Sequence, residues 1–339
     1  MILLTGATGY LGSQIAAELA RRREHFRVLV RDASRLDFDP AKSGCEVVVG
    51  DLCDARAVAQ ALEGVKHVIH TAALVKMWVR DPREFWRVNV EGLKKLLDAS
   101  MASGVDKFIY TSSFIALGPS ASRRGAEDLR HDGRYSNEYE QTKAEALAWL
   151  REEGFRRYPV VALMPGVIYG PGPATEANLV GKMIAQFTAG HFPGILGSGK
   201  QRWSFAFIRE VVAAHLASLE AGKVGESYIL GGDNRSLDDF FKVLAAVSGV
   251  HREVRHLPIV AGKVVGSVEM LLARWSGRRP QLTPGVVDIF KHDWVYSSAK
   301  AVRELGYHVV TLEKGLSETL EAGRKATRNS GKTLTAKSG

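Results

Sequence analysis

The sequence predicts an α/β fold: a doubly wound parallel sheet followed by a smaller, mostly helical cap. Three observations predict it. Short β-rich runs alternate with helical patterns through the first half, and a glycine triplet stands where the first run meets the first helical pattern. After Gly166 the alternation gives way to Pro-Gly loops and helices. Parallel strands need crossovers of helical length, and right-handed crossovers put helices on both faces of the sheet. The expected divisions are 1–165 for the sheet domain, 166–322 for a substrate cap with some segments returning to the sheet, and 323–339 for a basic disordered tail.

Strands are read at Ile2–Thr5, Phe26–Val30, Glu46–Val49, His67–His70, Lys107–Thr111 and Val160–Met164. Each is a short run rich in aliphatic, β-branched or aromatic residues. Apolar residues at helical spacing fill Tyr10–Arg23, Ala55–Glu63, Pro82–Ser103 and Glu138–Glu153, and in the cap 176–189, 209–221, 237–248, 260–276 and 312–322. The run 260–276 ends before Arg278-Arg279, a pattern found at membrane surfaces. It is expected to be a cap helix covering an apolar pocket.

Apolar residues make up 45% of the 339 and charged residues 24%, which excludes disordered, collagenous and coiled-coil classes. Cys45 and Cys53 are too few for a disulfide framework or a four-cysteine zinc site, and a reduced, cytoplasmic setting is expected. No basic n-region precedes the first apolar residues, and no run reads as a transmembrane helix. The net charge is +9, and residues 323–339 hold five basic residues and no acid. Charge gathered in a solvated tail gives no specific nucleic-acid partner. His67 and His70 fall on opposite faces of a strand, so no metal site is expected. Phe85 and Trp86 read as helical core, with Met77 or Trp78 as candidate pocket wall.

The run Thr5-Gly6-Ala7-Thr8-Gly9-Tyr10-Leu11-Gly12 spaces its glycines as G-x-x-G-x-x-G. Gly6 permits a tight turn, Gly9 lets backbone approach a pyrophosphate, and Gly12 lets the helix pack on the strand. Free N–H groups at the helix start meet the phosphate charge. The second strand ends in Arg31, where an acid would accept from the ribose hydroxyls of NAD. Arg31, with Arg35 nearby, favours a 2′-phosphate, so NADP(H) is preferred; Asp32 keeps NAD(H) open. Asp51, after strand three and beside Leu52, is placed to accept from an adenine amino group. Ala72 and Ala73, after strand four, are small enough for a cofactor to lie against the backbone.

Tyr139 and Lys143 lie at i and i+4 of one helical pattern, and strand five ends in Ser112-Ser113. Hydride transfer to a carbonyl leaves an alkoxide that must be protonated. A phenol can do this if a neighbouring ammonium lowers its pKa from about 10 toward neutrality. Lys143 would supply that field and bond the nicotinamide ribose, and Ser113 would hold the substrate oxygen.

With Gly50-Asp51-Leu52, His70-Thr71-Ala72-Ala73, Asn89-Val90-Glu91-Gly92, Thr111-Ser112-Ser113 and Pro165-Gly166-Val167-Ile168-Tyr169-Gly170-Pro171-Gly172, these motifs span residues 1–172. The chain resembles an extended short-chain dehydrogenase/reductase of the NAD-dependent epimerase/dehydratase superfamily, with a weaker match to about 322. The resemblance implies a Rossmann fold and a catalytic set of Ser113, Tyr139 and Lys143 supported by Asn89. It places the catalytic hydroxyl at the second serine, has Pro165, Gly166, Val167 and Ile168 line the nicotinamide, and carries the expectation of a homodimer.

Two branches of the superfamily differ in the cap. Sugar-nucleotide epimerases and dehydratases usually read G-x-G-x-Q-x-R-D-[FY], their arginine binding the substrate pyrophosphate. Here Gly197-Ser198-Gly199-Lys200-Gln201-Arg202-Trp203-Ser204-Phe205 puts Trp203 and Ser204 in the Arg-Asp slots, and Arg209-Glu210 replaces the acidic pair that follows. The chain is thus most similar to the dihydroflavonol-reductase and 3β-hydroxysteroid-dehydrogenase branch. That implies a small hydrophobic ketone or secondary alcohol as substrate and a released cofactor. Arg202, beside the slot, keeps an epimerase or dehydratase with retained NAD as the alternative; a non-catalytic dinucleotide sensor is disfavoured by the presence of both Tyr139 and Lys143.

Overall fold

The computed structural model describes residues 1–120, 125–173 and 178–335, with side chains described through residue 325. Its strands are β1 (Ile2–Thr5), β2 (Phe26–Val30), β3 (Cys45–Val49), β4 (His67–His70), β5 (Lys107–Thr111), β6 (Val160–Pro165), β7 (Val167–Tyr169), β8 (Ile195–Leu196), β9 (Arg202–Phe207), β10 (Ser227–Leu230), β11 (Asp233–Ser236) and β12 (His256–Leu257). The first seven helices are α1 (Tyr10–Arg21), α2 (Pro40–Ser43), α3 (Ala55–Leu62), α4 (Arg83–Trp86), α5 (Gly92–Ala102), α6 (Glu138–Trp149) and α7 (Phe155–Arg157). They are followed by α8 (Leu179–Ala189), α9 (Ile208–Glu220), α10 (Leu237–Ser248), α11 (Ile259–Ser276), α12 (Pro284–Ile289), α13 (Ala299–Leu305) and α14 (Leu312–Thr335).

Seven strands form one sheet in the order β10-β6-β5-β4-β1-β2-β3, every neighbouring pair parallel. Alternation along the strands sorts side chains to two faces. Leu3 and Phe108 join α3 and α5 residues such as Ala61, Leu62, Leu93 and Leu96 in one core, while Leu4, Val28 and Ile109 join α1 residues Ile15 and Leu19 in the other. Each such leucine contributes about 1.5–3 kcal/mol when fully buried.

The six strands expected in the first half are present. β10 then returns from the cap to pair with β6 in register Ser227 to Ala162. The cap also holds a three-stranded sheet, β11-β9-β7, and a two-stranded one, β12-β8, which helical periodicity does not reveal. The run expected as one helix over Pro82–Ser103 contains a π-helical turn, Arg87–Glu91, between α4 and α5. That turn carries Asn89, 3% exposed, and such turns re-aim a side chain out of the regular helical register. Residues 176 and 177, expected to begin a helix, lie outside the described residues.

One expectation fails, and the last helix runs further than composition suggests. The tail from residue 323 is helical through Thr335 as a continuation of α14; composition suggested disorder, but Leu312 and Leu316 are buried, the run contains no proline, and a docked first half lets the helix propagate. Residues 336–339 lie outside the described residues. Helix α11 presents its large apolar residues to solvent and not to a pocket. Its small residues Gly262 and Gly266 face the protein, where a Cβ would lie 2.7 Å from Leu196 Cδ2 and 2.9 Å from the Thr283 carbonyl carbon respectively.

Candidate active site

The chain crosses from β3 back to β4 on the far side of β1, leaving a crevice at the carboxyl edge of these strands. Ligands bind at such reversals. β1 runs into Gly6, whose φ of 81° L side chains rarely adopt. A Cβ on Gly6 would lie 2.5 Å from Thr71 Oγ1, and one on Gly12 would lie 2.1 Å from the Gly6 carbonyl oxygen. The Gly9 N–H donates to that same oxygen at 2.9 Å, closing the loop. Gly9 is the N-cap of α1 and offers no side-chain cap. The first-turn amides thus lack the oxygen that usually satisfies them, the arrangement that receives a phosphate. The loop therefore fits a dinucleotide. Gly12→Ala is expected to push this turn apart and lower dinucleotide affinity about tenfold or more; unchanged affinity in a fluorescence titration would contradict the packing argument.

A cleft of about 630 Å³ runs from this loop across the sheet edge, within the range of small-molecule sites. It is lined by Gly6, Thr8, Gly9, Tyr10, Leu11 and Gly12, by Arg31, Arg35, Asp51, Leu52, Ala72 and Ala73, and by Ser113, Tyr139, Lys143 and Pro165–Ile168. Asn89 alone of the expected site residues does not line it. Its Oδ1 accepts from the Leu74 N–H at 2.8 Å and its Nδ2 donates to Thr142 Oγ1 at 3.1 Å. Asn89 thereby ties the loop after β4 to the helix carrying Tyr139. Tyr10 contributes differently from expectation as well. Its buried hydroxyl donates to the Gly170 carbonyl at 3.0 Å, so the side chain anchors α1 to the loop after β7.

Helix α6 is set by its first turn. Asn137 caps it, accepting from the Glu140 N–H at 2.9 Å. The buried Glu140 carboxylate accepts from the Ser136 N–H at 2.8 Å and lies 2.9 Å from His131 Nε2. Tyr139 and Lys143 then project one turn apart toward the end of β5. Burial pushes Tyr139 up to about 12, while the neighbouring Ser113 hydroxyl pulls the other way. Of the two serines, Ser113 is the one set against the Tyr139 phenol, whereas Ser112 is set against the buried Tyr110.

At Tyr139 burial is the leading influence on the phenol. Lys143 Nζ donates to the Thr111 carbonyl at 3.0 Å and stands 5.1 Å from the centre of the Tyr110 ring. Burial pushes its own pKa down to about 7. Desolvation thus governs both groups. The unfolded chain keeps the Lys143 proton to about pH 10.4, whereas the folded chain releases it above about 7. Between these values the unfolded state binds more protons, so stability rises with pH. Without added cofactor, Lys143→Met is expected to gain most over the native chain at pH 6 and least near pH 10. A pH-independent difference in urea unfolding would contradict this.

Arg31 and Arg35 are exposed and flank Asp32. The Asp32 carboxylate caps the turn Ala33–Arg35, accepting from the Ser34 N–H at 3.0 Å and from its hydroxyl at 2.6 Å. Arg31 makes no salt bridge among the described residues.

The far end of the cleft is apolar. Met77, Phe114, Leu179, Trp203, Ile289 and Trp294 line it; Trp78, the other candidate wall, does not. Trp203 is 2% exposed, packs 4.9 Å from Phe290, and its Nε1 has no hydrogen-bond partner among the described residues. Ser204 is spent on structure, its Oγ accepting from the Gly232 N–H at 2.9 Å. Arg202 does not line the cleft and pairs with Asp293 at 3.4 Å; Arg209 pairs with Glu318 at 2.8 Å. Sequence reasoning missed Ile289, Trp294 and Arg279, which reach the cleft from a distant part of the chain with no motif to mark them. No group of three His, Cys, Asp or Glu able to hold a metal occurs among the described residues.

The chain is similar to known proteins over most of its length. Sterol demethylase protein B of Methylococcus capsulatus is 31% identical, covering 90% of this chain and 92% of that protein. A 3-beta-hydroxysteroid dehydrogenase of Mycolicibacterium neoaurum is 27% identical, covering 94% and 90%. Among solved structures, gox2253 superposes with a TM-score of 0.77 at 32% identity, covering 97% of this chain and 99% of that one. UDP-glucose 4-epimerase of Thermotoga maritima superposes with a TM-score of 0.76 at 23% identity, covering 96% and 99%, a likeness of fold. A family model described as the NAD dependent epimerase/dehydratase family matches residues 2–231, and the chain belongs to that family.

Proposed function

We propose that the protein is an NADP(H)-dependent oxidoreductase that reduces a hydrophobic ketone or oxidises the matching secondary alcohol. The observation that carries this reading is the apolar far end of the cleft, with Trp203 in it and Arg202 held outside it by Asp293. A pyrophosphate bound there without an arginine in the Trp203 position forfeits a charge-assisted pair of about 1.5–3 kcal/mol. An indole offers a flat apolar wall in its place. The relatives named for sterol and steroid chemistry favour the same substrate class.

The bound nicotinamide supplies or takes the hydride. Tyr139 holds the proton on its phenol oxygen, and a pKa raised by burial keeps it there at neutral pH, the form that protonates a developing alkoxide. Ser113, set against that phenol at the end of β5, orients the substrate oxygen. Lys143, anchored on Thr111, stands beside the reaction as a desolvated cation or amine. Asn89 positions both the loop after β4 and helix α6. The carboxylate that would favour NAD is engaged by Ser34, leaving Arg31 and Arg35 for a 2′-phosphate.

A panel of apolar ketones, followed by nicotinamide absorbance with NADPH and with NADH, tests this reading. Turnover of at least one apolar ketone, faster with NADPH, is expected; no turnover of any would contradict it. A second reading, nucleotide-sugar epimerisation with retained NAD, is favoured by one observation, the presence of Arg279 in the cleft lining.

A further inference from the structure

Helix α11 is built inside out. Over 18 residues its buried positions are Gly262, Gly266 and Ala273. Its two mid-helix charges turn toward the protein: Lys263 pairs with Asp288 at 3.0 Å, and the Glu269 carboxylate accepts from the Gln281 and Leu282 N–H groups at 2.5 and 2.9 Å. The large apolar side chains point outward. Val260, Val264, Val268, Leu271 and Trp275 form a continuous stripe, widened by Leu272, with exposures from 52% at Val268 to 89% at Trp275. At 1.5 Å per residue the stripe is about 23 Å long. Ordinary surface helices do the reverse, burying their large apolar residues and exposing their charges. Contiguous apolar patches of this kind mark an interaction surface.

Charge decides the occupant. The stripe ends in an indole flanked by exposed Arg274 and Arg278, an aromatic and cationic rim of the sort that sits at a bilayer interface. Residues 251–281 hold six basic and two acidic residues, and the chain as a whole carries +9, which favours a negatively charged surface. We propose that α11 is a peripheral docking surface for anionic phospholipid bilayers. It lies in the membrane plane with the Val260–Trp275 stripe among the acyl chains and its terminal arginines at the headgroups. No helix of the described residues is long and apolar enough to cross a membrane, so the attachment is to one leaflet. The docking helix ends beside the cleft, which Arg279 lines. The proposal rests on this surface alone and holds whichever substrate the cleft takes.

The test is flotation of the full chain with vesicles of phosphatidylcholine alone or with one third phosphatidylglycerol. The native chain is expected to float with the anionic vesicles, and less so as salt rises past about 0.1 M. The double variant Val268→Glu/Leu271→Glu should lose at least about tenfold in partitioning, and Arg274→Glu/Arg278→Glu should lose the preference for phosphatidylglycerol. Phosphatidylcholine carrying brominated acyl chains gives a reading on the unperturbed fold: it should quench part of the tryptophan fluorescence of the native chain, and Trp275→Phe should remove that part. Failure of the native chain to float, flotation unaffected by the Val268/Leu271 change, or quenching that persists in Trp275→Phe would overturn the proposal. A dimer in sedimentation equilibrium that dissociates on the Val268/Leu271 change, with no flotation, would overturn it in favour of a second copy of the chain.

Discussion

Tyr139→Phe is expected to lower kcat for carbonyl reduction by about 10²- to 10⁴-fold, the span of a positioned acid or base. The change deletes one oxygen and keeps the ring. Its expected effect on NADPH affinity is within about twofold, well under the 1.4 kcal/mol of a tenfold change. The helix should survive intact, because its first turn is held by Asn137, Glu140 and His131 and not by the phenol. Single-turnover rates with saturating cofactor separate the chemistry from binding. A variant retaining more than about a tenth of the native kcat, a barrier change below 1.4 kcal/mol, would remove Tyr139 from the reaction.

Arg31→Asp is expected to weaken NADPH by about 10- to 100-fold, the worth of one charge-assisted contact with a phosphate and the repulsion added in its place. NADH, which has no phosphate at that position, should change by less than about threefold. Arg31 is exposed at the end of β2 and makes no salt bridge among the described residues, so the fold has little stake in it. Calorimetric titration with both cofactors reads the difference. Equal losses would mean that Arg31 does not read the 2′-phosphate.

The sheet domain was legible in the sequence because local signals and tertiary demands agree there. Apart from the edge strand β3, the strands from Ile2–Thr5 to Val160–Pro165 are short runs with mostly buried apolar residues, and the glycine loop must be glycine, since a Cβ at Gly6 or Gly12 would strike backbone or Thr71. Tyr139 and Lys143 were readable from their helical spacing. The cap was less so. The run Trp203-Ser204-Phe205-Ala206-Phe207 is buried at every position in β9, so no alternation announces a strand. Trp294 and Ile289 enter the cleft from beyond residue 280 through packing alone. For α11, apolar periodicity reveals that a greasy face exists but not where it points. That is decided by Gly262 and Gly266, whose missing side chains let the helix backbone approach β8 and the start of α12. The extension of α14 past residue 323 was not legible because its Ser, Thr, Gly and Lys content carries no apolar periodicity, and its anchor lies upstream at Leu312 and Leu316. The pKa pattern was also out of reach, since desolvation of Tyr139 and Lys143 depends on how completely the surrounding loops cover them.

The central claim is that the cleft takes an apolar carbonyl or alcohol and consumes its cofactor. The most direct measurement is product analysis beside the cofactor balance: an apolar ketone with NADPH in one reaction, UDP-glucose and UDP-galactose with catalytic NAD in the other. One alcohol formed per NADPH oxidised, with the UDP-sugars unchanged, is the predicted result. Interconversion of the two UDP-sugars without net NADH accumulation would contradict it and establish the epimerase reading.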